Sequence, residues 1–325
     1  MKRREFFGIV VGTAAWPLAA RAQRPNRKPR IAVLLSGNIQ QNRENVARFT
    51  KAMQQLGWTD GENIQIEYRW TENDVARLQL LAKELINLEP DVILAGTTQV
   101  VAAIQRETKT IPIVFVGVGD PVGSGFVQSF AHPGGNITGF INESSSGKWI
   151  ELLKELVPSA NRVVAMYSPT TEIIFSHIKP PLEVAAHSRE IELVVAPVNS
   201  EKVIADLIAS LSGSTTTGLI VTADPFLFEH RELIFSLATR DRIPTLCSFR
   251  FFVVAGGLVS YGNKPIVQFE QSAGYIDRIL KGADPADLPV QAPTEFELAI
   301  NLKTANAIGI TVPPTLLARA DEVIE

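Results

Sequence analysis

The chain of 325 residues carries a single cysteine, Cys247, so it forms no internal disulfide and no cluster of thiolate metal ligands. Its four histidines, His132, His177, His187 and His230, are scattered without an HExxH spacing. No metal site and no cofactor is expected. Positive charge is not in excess either. With 31 Lys and Arg against 34 Asp and Glu, the net charge is −3, which excludes the counterion release that drives binding to a nucleic-acid backbone. No GxSxG or GxxxxGK[ST] motif is present, which removes the hydrolase nucleophile elbow and the phosphate loop. No apolar run reaches the ~20 residues needed to span a bilayer as a helix. What is there, 46% hydrophobic and 20% charged residues, is an ordinary globular composition. It has room for two cores of roughly 140 residues each.

The N-terminus reads as an address. Lys2, Arg3 and Arg4 precede a short apolar run over residues 6–20, broken by Thr13 and Pro17, and Ala20-Arg21-Ala22 forms a small-x-small cleavage site. Residues 1–22 are expected to be a signal peptide cut near Ala22. Arg3-Arg4 followed by Phe6-Phe7 reads as a twin-arginine export signal, with a general secretory signal as the alternative; either exports the chain. No cysteine follows the apolar run, so no bacterial lipid anchor is expected. The expected product is a periplasmic protein that does not itself span the membrane.

Beyond a polar linker at 23–29, short β-branched runs alternate with longer amphipathic ones. Strands are predicted at 31–35, 64–68, 92–95, 113–116 and 137–141, and helices at 42–56, 74–88 and 99–108. Gly57 closes the first helix and Asn73/Asp74 cap the second. The rhythm then repeats, with helices at 148–156, 173–189, 202–211, 229–240, 265–280 and 302–308, and strands at 163–167, 193–195, 218–222, 244–247, 258–261 and 296–301. Such alternation gives right-handed βαβ units and mostly parallel sheets. One open sheet does not hold so many strands comfortably. Two doubly wound α/β lobes are expected, residues 30–141 with 265–290 and residues 142–264 with 291–325, joined by crossings near 141–147, 261–265 and 284–293.

Ligands of open parallel sheets sit beyond the carboxyl ends of the strands. In the first lobe those ends carry Ser36 and Asn38, Gly96, Thr97 and Thr98, and Gly117 and Asp120. In the second they carry Tyr167 and Ser168, Asp224 and Phe226, Ser248-Phe249-Arg250, and Tyr261-Gly262-Asn263. From these, Tyr167, Ser168, Asp224, Phe226, Phe249 and Tyr261 join the first-lobe residues as ligand-binding candidates. Gly96-Thr97-Thr98 at a helix entrance suits an anion, because the leading N–H groups of the helix lack internal acceptors; an ordinary N-cap is the competing reading. Asp224, followed by Pro225, either meets a ligand or starts the next helix. Each aromatic is equally readable as core. Gly117-Val118-Gly119-Asp120-Pro121-Val122-Gly123 is a loop rather than a dinucleotide fingerprint, because it follows the fourth strand and holds a proline in the turn.

Several stretches together resemble one family. Ile66-Glu67-Tyr68-Arg69-Trp70, Asp120-Pro121-Val122, Pro133-Gly134-Gly135-Asn136-Ile137-Thr138-Gly139, Ala223-Asp224-Pro225-Phe226 and Gly256-Gly257-Leu258-Val259-Ser260-Tyr261-Gly262 are similar to the tryptophan/tyrosine-type substrate-binding proteins of bacterial ABC importers. The likeness covers nearly the whole chain. It implies a type I periplasmic-binding fold: two flavodoxin-like lobes joined by a multi-strand hinge that closes on a small polar ligand, amino-acid-like or aromatic. It also implies a monomer that delivers this ligand to an ABC permease and catalyses nothing. In members that take aromatic amino acids the carboxylate lies after the third strand, here at Thr97 and Thr98, and an acidic residue of the second lobe, here Asp224, takes the ammonium. This sequence has Asp224-Pro225-Phe226 where an Asp-Asn pair is usual. Two rival functions remain at this level: a periplasmic enzyme using Asp224 and His230, and a ligand sensor for a signalling partner.

Overall fold

Strand β1 (Arg30–Leu35) is apolar from Ile31 to its end, and those five residues are fully buried, as a strand covered on both faces requires. In the computed structural model, which describes residues 27–325 except 73, 143 and 144, this strand sits inside a five-stranded parallel sheet. The signal sequence, the first part of the linker and the Asn73 cap lie outside the described residues. The sheet runs β2-β1-β3-β4-β5, with β2 at Gln65–Trp70, β3 at Val92–Gly96, β4 at Ile113–Val118 and β5 at Ile137–Ile141. That order is the flavodoxin-like one, whose switch point lies between β1 and β3.

Successive side chains of β1 enter different cores. Ala32 and Leu34 pack with Leu81 and Leu85 of α2 (Val75–Asn87) and Val101 and Ile104 of α3 (Thr98–Glu107). Ile31, Val33 and Leu35 pack with Phe49 and Met53 of α1 (Arg43–Gln55) and with Phe269, Ala273 and Ile276 of α10 (Pro265–Leu280). The first sheet is thus covered on one face by a helix from late in the chain.

The second sheet has seven strands, in the order β12-β11-β10-β9-β8-β6-β7. Its parallel part, β6 (Arg162–Tyr167), β7 (Glu192–Pro197), β8 (Thr217–Val221), β9 (Thr245–Cys247) and β10 (Val259–Asn263), repeats the order of the first sheet. Strand β11 (Phe296–Asn301) then adds antiparallel to β10, and β12 (Glu322–Ile324) parallel to β11. Helices α4 (Ser146–Leu156), α5 (Glu172–Ser188), α6 (Glu201–Ser210), α8 (Arg231–Arg240) and α11 (Leu302–Ile308) cover it.

The chain passes between the sheets three times. It leaves β5 for α4, returns from β10 through Lys264 into α10, and crosses again toward β11. On this last crossing Gln291 bridges to Phe140, its N–H donating to Gly139 O and its carbonyl accepting from Ile141 N–H, both at 2.9 Å. Lys264 N–H then donates to Glu295 O at 3.3 Å. One segment is therefore tied first to β5, an edge of the first sheet, and then to the end of β10 inside the second.

The observed strands and long helices lie within about two residues of their predicted ends. The helix predicted at 229–240 differs. Its counterpart α8 begins two residues later and is preceded by an unanticipated short helix, α7 (Pro225–Glu229), which meets it at His230, because Asp224 caps a new helix whose first position is Pro225. The short α9 (Arg250–Val254), α12 (Pro314–Leu317) and β12 were not anticipated.

Candidate ligand-binding site

Between the two sheets lies a cavity of about 490 Å³, within the range of small-molecule sites. From the first lobe it is lined at the strand ends by Ser36, Gly96, Thr97, Thr98, Gly117, Gly119 and Asn142, with Asn42 just before α1, Asn45 within it, and Gln268 and Phe269 of α10. From the second it is lined by Trp149, His177, Ile178, Ala223, Pro225, Ser248, Phe249, Tyr261 and Asn263. Its described polar groups are hydroxyls and amides, with His177 at an exposed position. Among the described residues there is no group of acidic, histidine and cysteine side chains able to hold a metal ion.

The first-lobe wall centres on the entrance to α3. Thr97 has φ 75° and ψ 154°, a region that a β-branched residue occupies only under strain, and such strain concentrates at functional sites. Its N–H donates to Val116 O at 3.0 Å and its hydroxyl lies 3.1 Å from the Ser36 hydroxyl. No side chain caps α3, so the leading amides of a ten-residue helix open beside Thr98 and Gln99, which line the cavity. Gly117 forms a bulge where the β4–β5 register shifts, at φ 70°, a conformation that suits glycine. Its N–H donates to Gln268 Oε1 at 2.9 Å, while Gln268 Nε2 donates to Ile141 O at 2.9 Å. Gln268 is 3% exposed, so two backbone groups at the strand ends depend on one buried side chain from α10.

The second-lobe wall is aromatic. Trp149 is buried and donates its indole N–H to Tyr261 O at 2.7 Å. Phe249 precedes α9 and lies 5.4 Å, centroid to centroid, from Phe251. Beside it, Arg250 is held above its ordinary pKa first by its hydrogen bonds to Glu322, with the charges of Glu297 and of Glu44 on α1 adding to the effect. Glycine is required at 262, where a Cβ would come within 2.0 Å of Ser248 O.

Seven of the thirteen predicted ligand residues meet at this cavity: Ser36, Gly96, Thr97, Thr98, Gly117, Phe249 and Tyr261. The other six are engaged elsewhere. Asn38 Oδ1 accepts from Gln41 N–H at 3.0 Å, and Asp120 Oδ1 from Gly123 N–H at 2.8 Å, each closing its own loop. Tyr167 stacks on Phe175 with ring centroids 4.2 Å apart, Phe226 packs on His230 at 4.3 Å, and Ser168 caps the short turn at Pro169–Thr171.

Asp224 is the largest departure from expectation. Ala223 and Pro225 line the cavity, but Asp224 between them does not, and it is 3% exposed. One carboxylate oxygen accepts the N–H of Phe226 at 2.8 Å and of Leu227 at 3.2 Å. The other accepts the N–H of Ser168 at 3.3 Å and the hydroxyl of Thr171. Both oxygens thus serve the second lobe itself. His230 does not pair with it: the ring Nδ1 lies 2.8 Å from Phe226 O. Cys247 is fully buried, and that burial pushes its thiol pKa up, away from nucleophilic use.

The strand-end rule missed Asn42, at the turn into α1, and Trp149, Asn45, His177, Gln268 and Phe269, which sit on helices. Their only sequence signal was polar or aromatic residues at the starts of helices that follow crossings or strand ends.

A model of the family described as ABC transporter substrate binding protein matches residues 30–324. A tyrosine-binding protein of Clostridioides difficile is 30% identical over 266 residues, 81% of this chain and 75% of the relative. A conserved domain protein of Vibrio cholerae superposes with a TM-score of 0.82 at 25% identity, covering 91% of this chain and all of the other. A Streptococcus ABC domain in complex with L-Trp gives the same TM-score of 0.82 at 24% identity over 92% of this chain and 100% of its own. These neighbours share the two-lobed type I periplasmic-binding fold. With a match over nearly its entire length, the chain belongs to the ABC transporter substrate-binding protein family.

Proposed function

We propose that this protein is an exported receptor that captures a small polar solute, amino-acid-like or aromatic, between its lobes and delivers it to an ABC permease in the inner membrane, without catalysis. The observation that carries the reading is the cavity itself. Its walls come from both lobes, with amides and hydroxyls at α3 able to donate hydrogen bonds to an anion on one side and the aromatic rings of Trp149, Phe249 and Tyr261 on the other. A solute bridging these walls stabilises the closed arrangement, and hinge bending at the three crossings gives the permease two distinguishable states. The relative that binds tyrosine supports an aromatic solute. In this reading the protein works as a monomer in the periplasm after residues 1–22 are removed. Arg3→Lys combined with Arg4→Lys then stops export by the twin-arginine route.

A thermal-shift screen over aromatic amino acids, aromatic acids and small amides tests the reading. A true ligand at 100 times its Kd adds about 2.7 kcal/mol of stability and a clear rise in Tm. No shift with any aromatic compound, set against a shift with a sugar or polyol, would overturn it.

A further inference from the structure

We infer that the second lobe takes hold of the solute through the Ser248 hydroxyl, on a neutral oxygen or amide, so that the receptor favours aromatic carboxylates bearing a hydroxyl or carbonyl group where an amino acid carries its ammonium. The inference rests on the reading of the protein as a receptor for aromatic or amino-acid-like solutes.

Ser248 follows β9 and lines the cavity beside Phe249, yet the residue is 6% exposed and its hydroxyl is buried with no hydrogen-bond partner. A buried hydroxyl without a partner is disfavoured, and one beside a ligand cavity is explained by a partner that arrives with the ligand. Ser260, also unpartnered, lies within β10 and does not line the cavity. A serine hydroxyl has three staggered χ1 positions, so it can reorient without movement of the backbone. Its hydroxyl can donate to a carbonyl or accept from a hydroxyl.

The charge pattern points the same way. Among the described lining residues there is no carboxylate, and Asp224, flanked by the lining residues Ala223 and Pro225, has both oxygens occupied by four donors of its own lobe. An ammonium closed into this wall would lose water without gaining a counter-charge, whereas a hydroxyl or carbonyl loses little. Glu143 falls between the lining residues Asn142 and Ser145, outside the described residues, and is therefore included in the test.

Calorimetry on the purified protein compares three ligands with one ring: tyrosine, hydroxyphenyllactate, and hydroxyphenylpropionate, which has neither substituent. The hydroxy acid is expected to bind about tenfold more tightly than tyrosine. Ser248→Ala, which removes only an unpartnered hydroxyl and keeps the fold, is expected to weaken the hydroxy acid about fivefold and the propionate less than about twofold. Tighter binding of tyrosine overturns the inference and leaves the receptor reading standing, and loss of that preference in Glu143→Gln would place the ammonium on Glu143. Equal losses for both acids in Ser248→Ala also overturn it. Failure of all three ligands to bind removes the aromatic reading and the inference with it.

Discussion

Both oxygens of Asp224 are occupied inside the second lobe, which reverses what a substitution there should do. In Asp224→Asn one position keeps an oxygen for the N–H groups of Phe226 and Leu227, but the amide at the other faces the N–H of Ser168 and the hydroxyl of Thr171. Losing two acceptances in a buried site is expected to cost about 1–3 kcal/mol of stability by urea unfolding, with ligand affinity changed by less than about twofold. A variant of unchanged stability and lost affinity would restore Asp224 to the ligand. Thr97 gives a second residue-level test. At φ 75° a side chain is strained, so the usual order of alanine and glycine should invert there. Thr97→Gly is expected to be more stable than Thr97→Ala by about 1 kcal/mol, while both lose the same affinity because both lack the hydroxyl. Chemical denaturation and calorimetry on the pair check this.

At the scale of elements, α10 connects the site to the architecture. Gln268 holds Gly117 N–H and Ile141 O, one on each side of the irregular β4–β5 pairing. Gln268→Leu leaves a buried donor and a buried acceptor without partners and is expected to cost about 2–4 kcal/mol, together with ligand affinity, because the bulge at Gly117 forms part of the cavity wall. An equilibrium unfolding curve matching that of the native chain would show the bulge to be held by other contacts. The elements themselves were largely legible. Runs such as 31–35 are buried on both faces, so their composition alone declares a central strand. Helices of five residues, α7 and α9, complete little more than one turn and carry too little periodicity to read. The cavity lining was legible where it sits on strand ends, at Ser36, Gly96, Thr97, Thr98, Gly117, Phe249 and Tyr261. It was not legible at Trp149 and Gln268, because their arrival at the cavity depends on chain crossings that local sequence does not specify. Asp224 could be read either way in the sequence because capping and ligand binding require the same residue type at the same place.

For the whole molecule, the three crossings predict bending with little change inside either lobe. Small-angle scattering should show a smaller radius of gyration with saturating ligand than without, and an unchanged radius at confirmed saturation would exclude closure. The crossings also bear on how the molecule is made. The face of the first sheet formed by Ile31, Val33 and Leu35 is covered jointly by α1 and α10, and α10 follows almost the whole of the second lobe in the chain. A ribosome adding roughly 5–20 residues per second therefore needs on the order of ten seconds between finishing β5 and releasing the helix that seals this face. During that interval the nascent first lobe presents an apolar surface at a defined place, where holding chaperones can bind, and the parallel strands β6 to β10 of the second sheet have time to pair before the first lobe is complete.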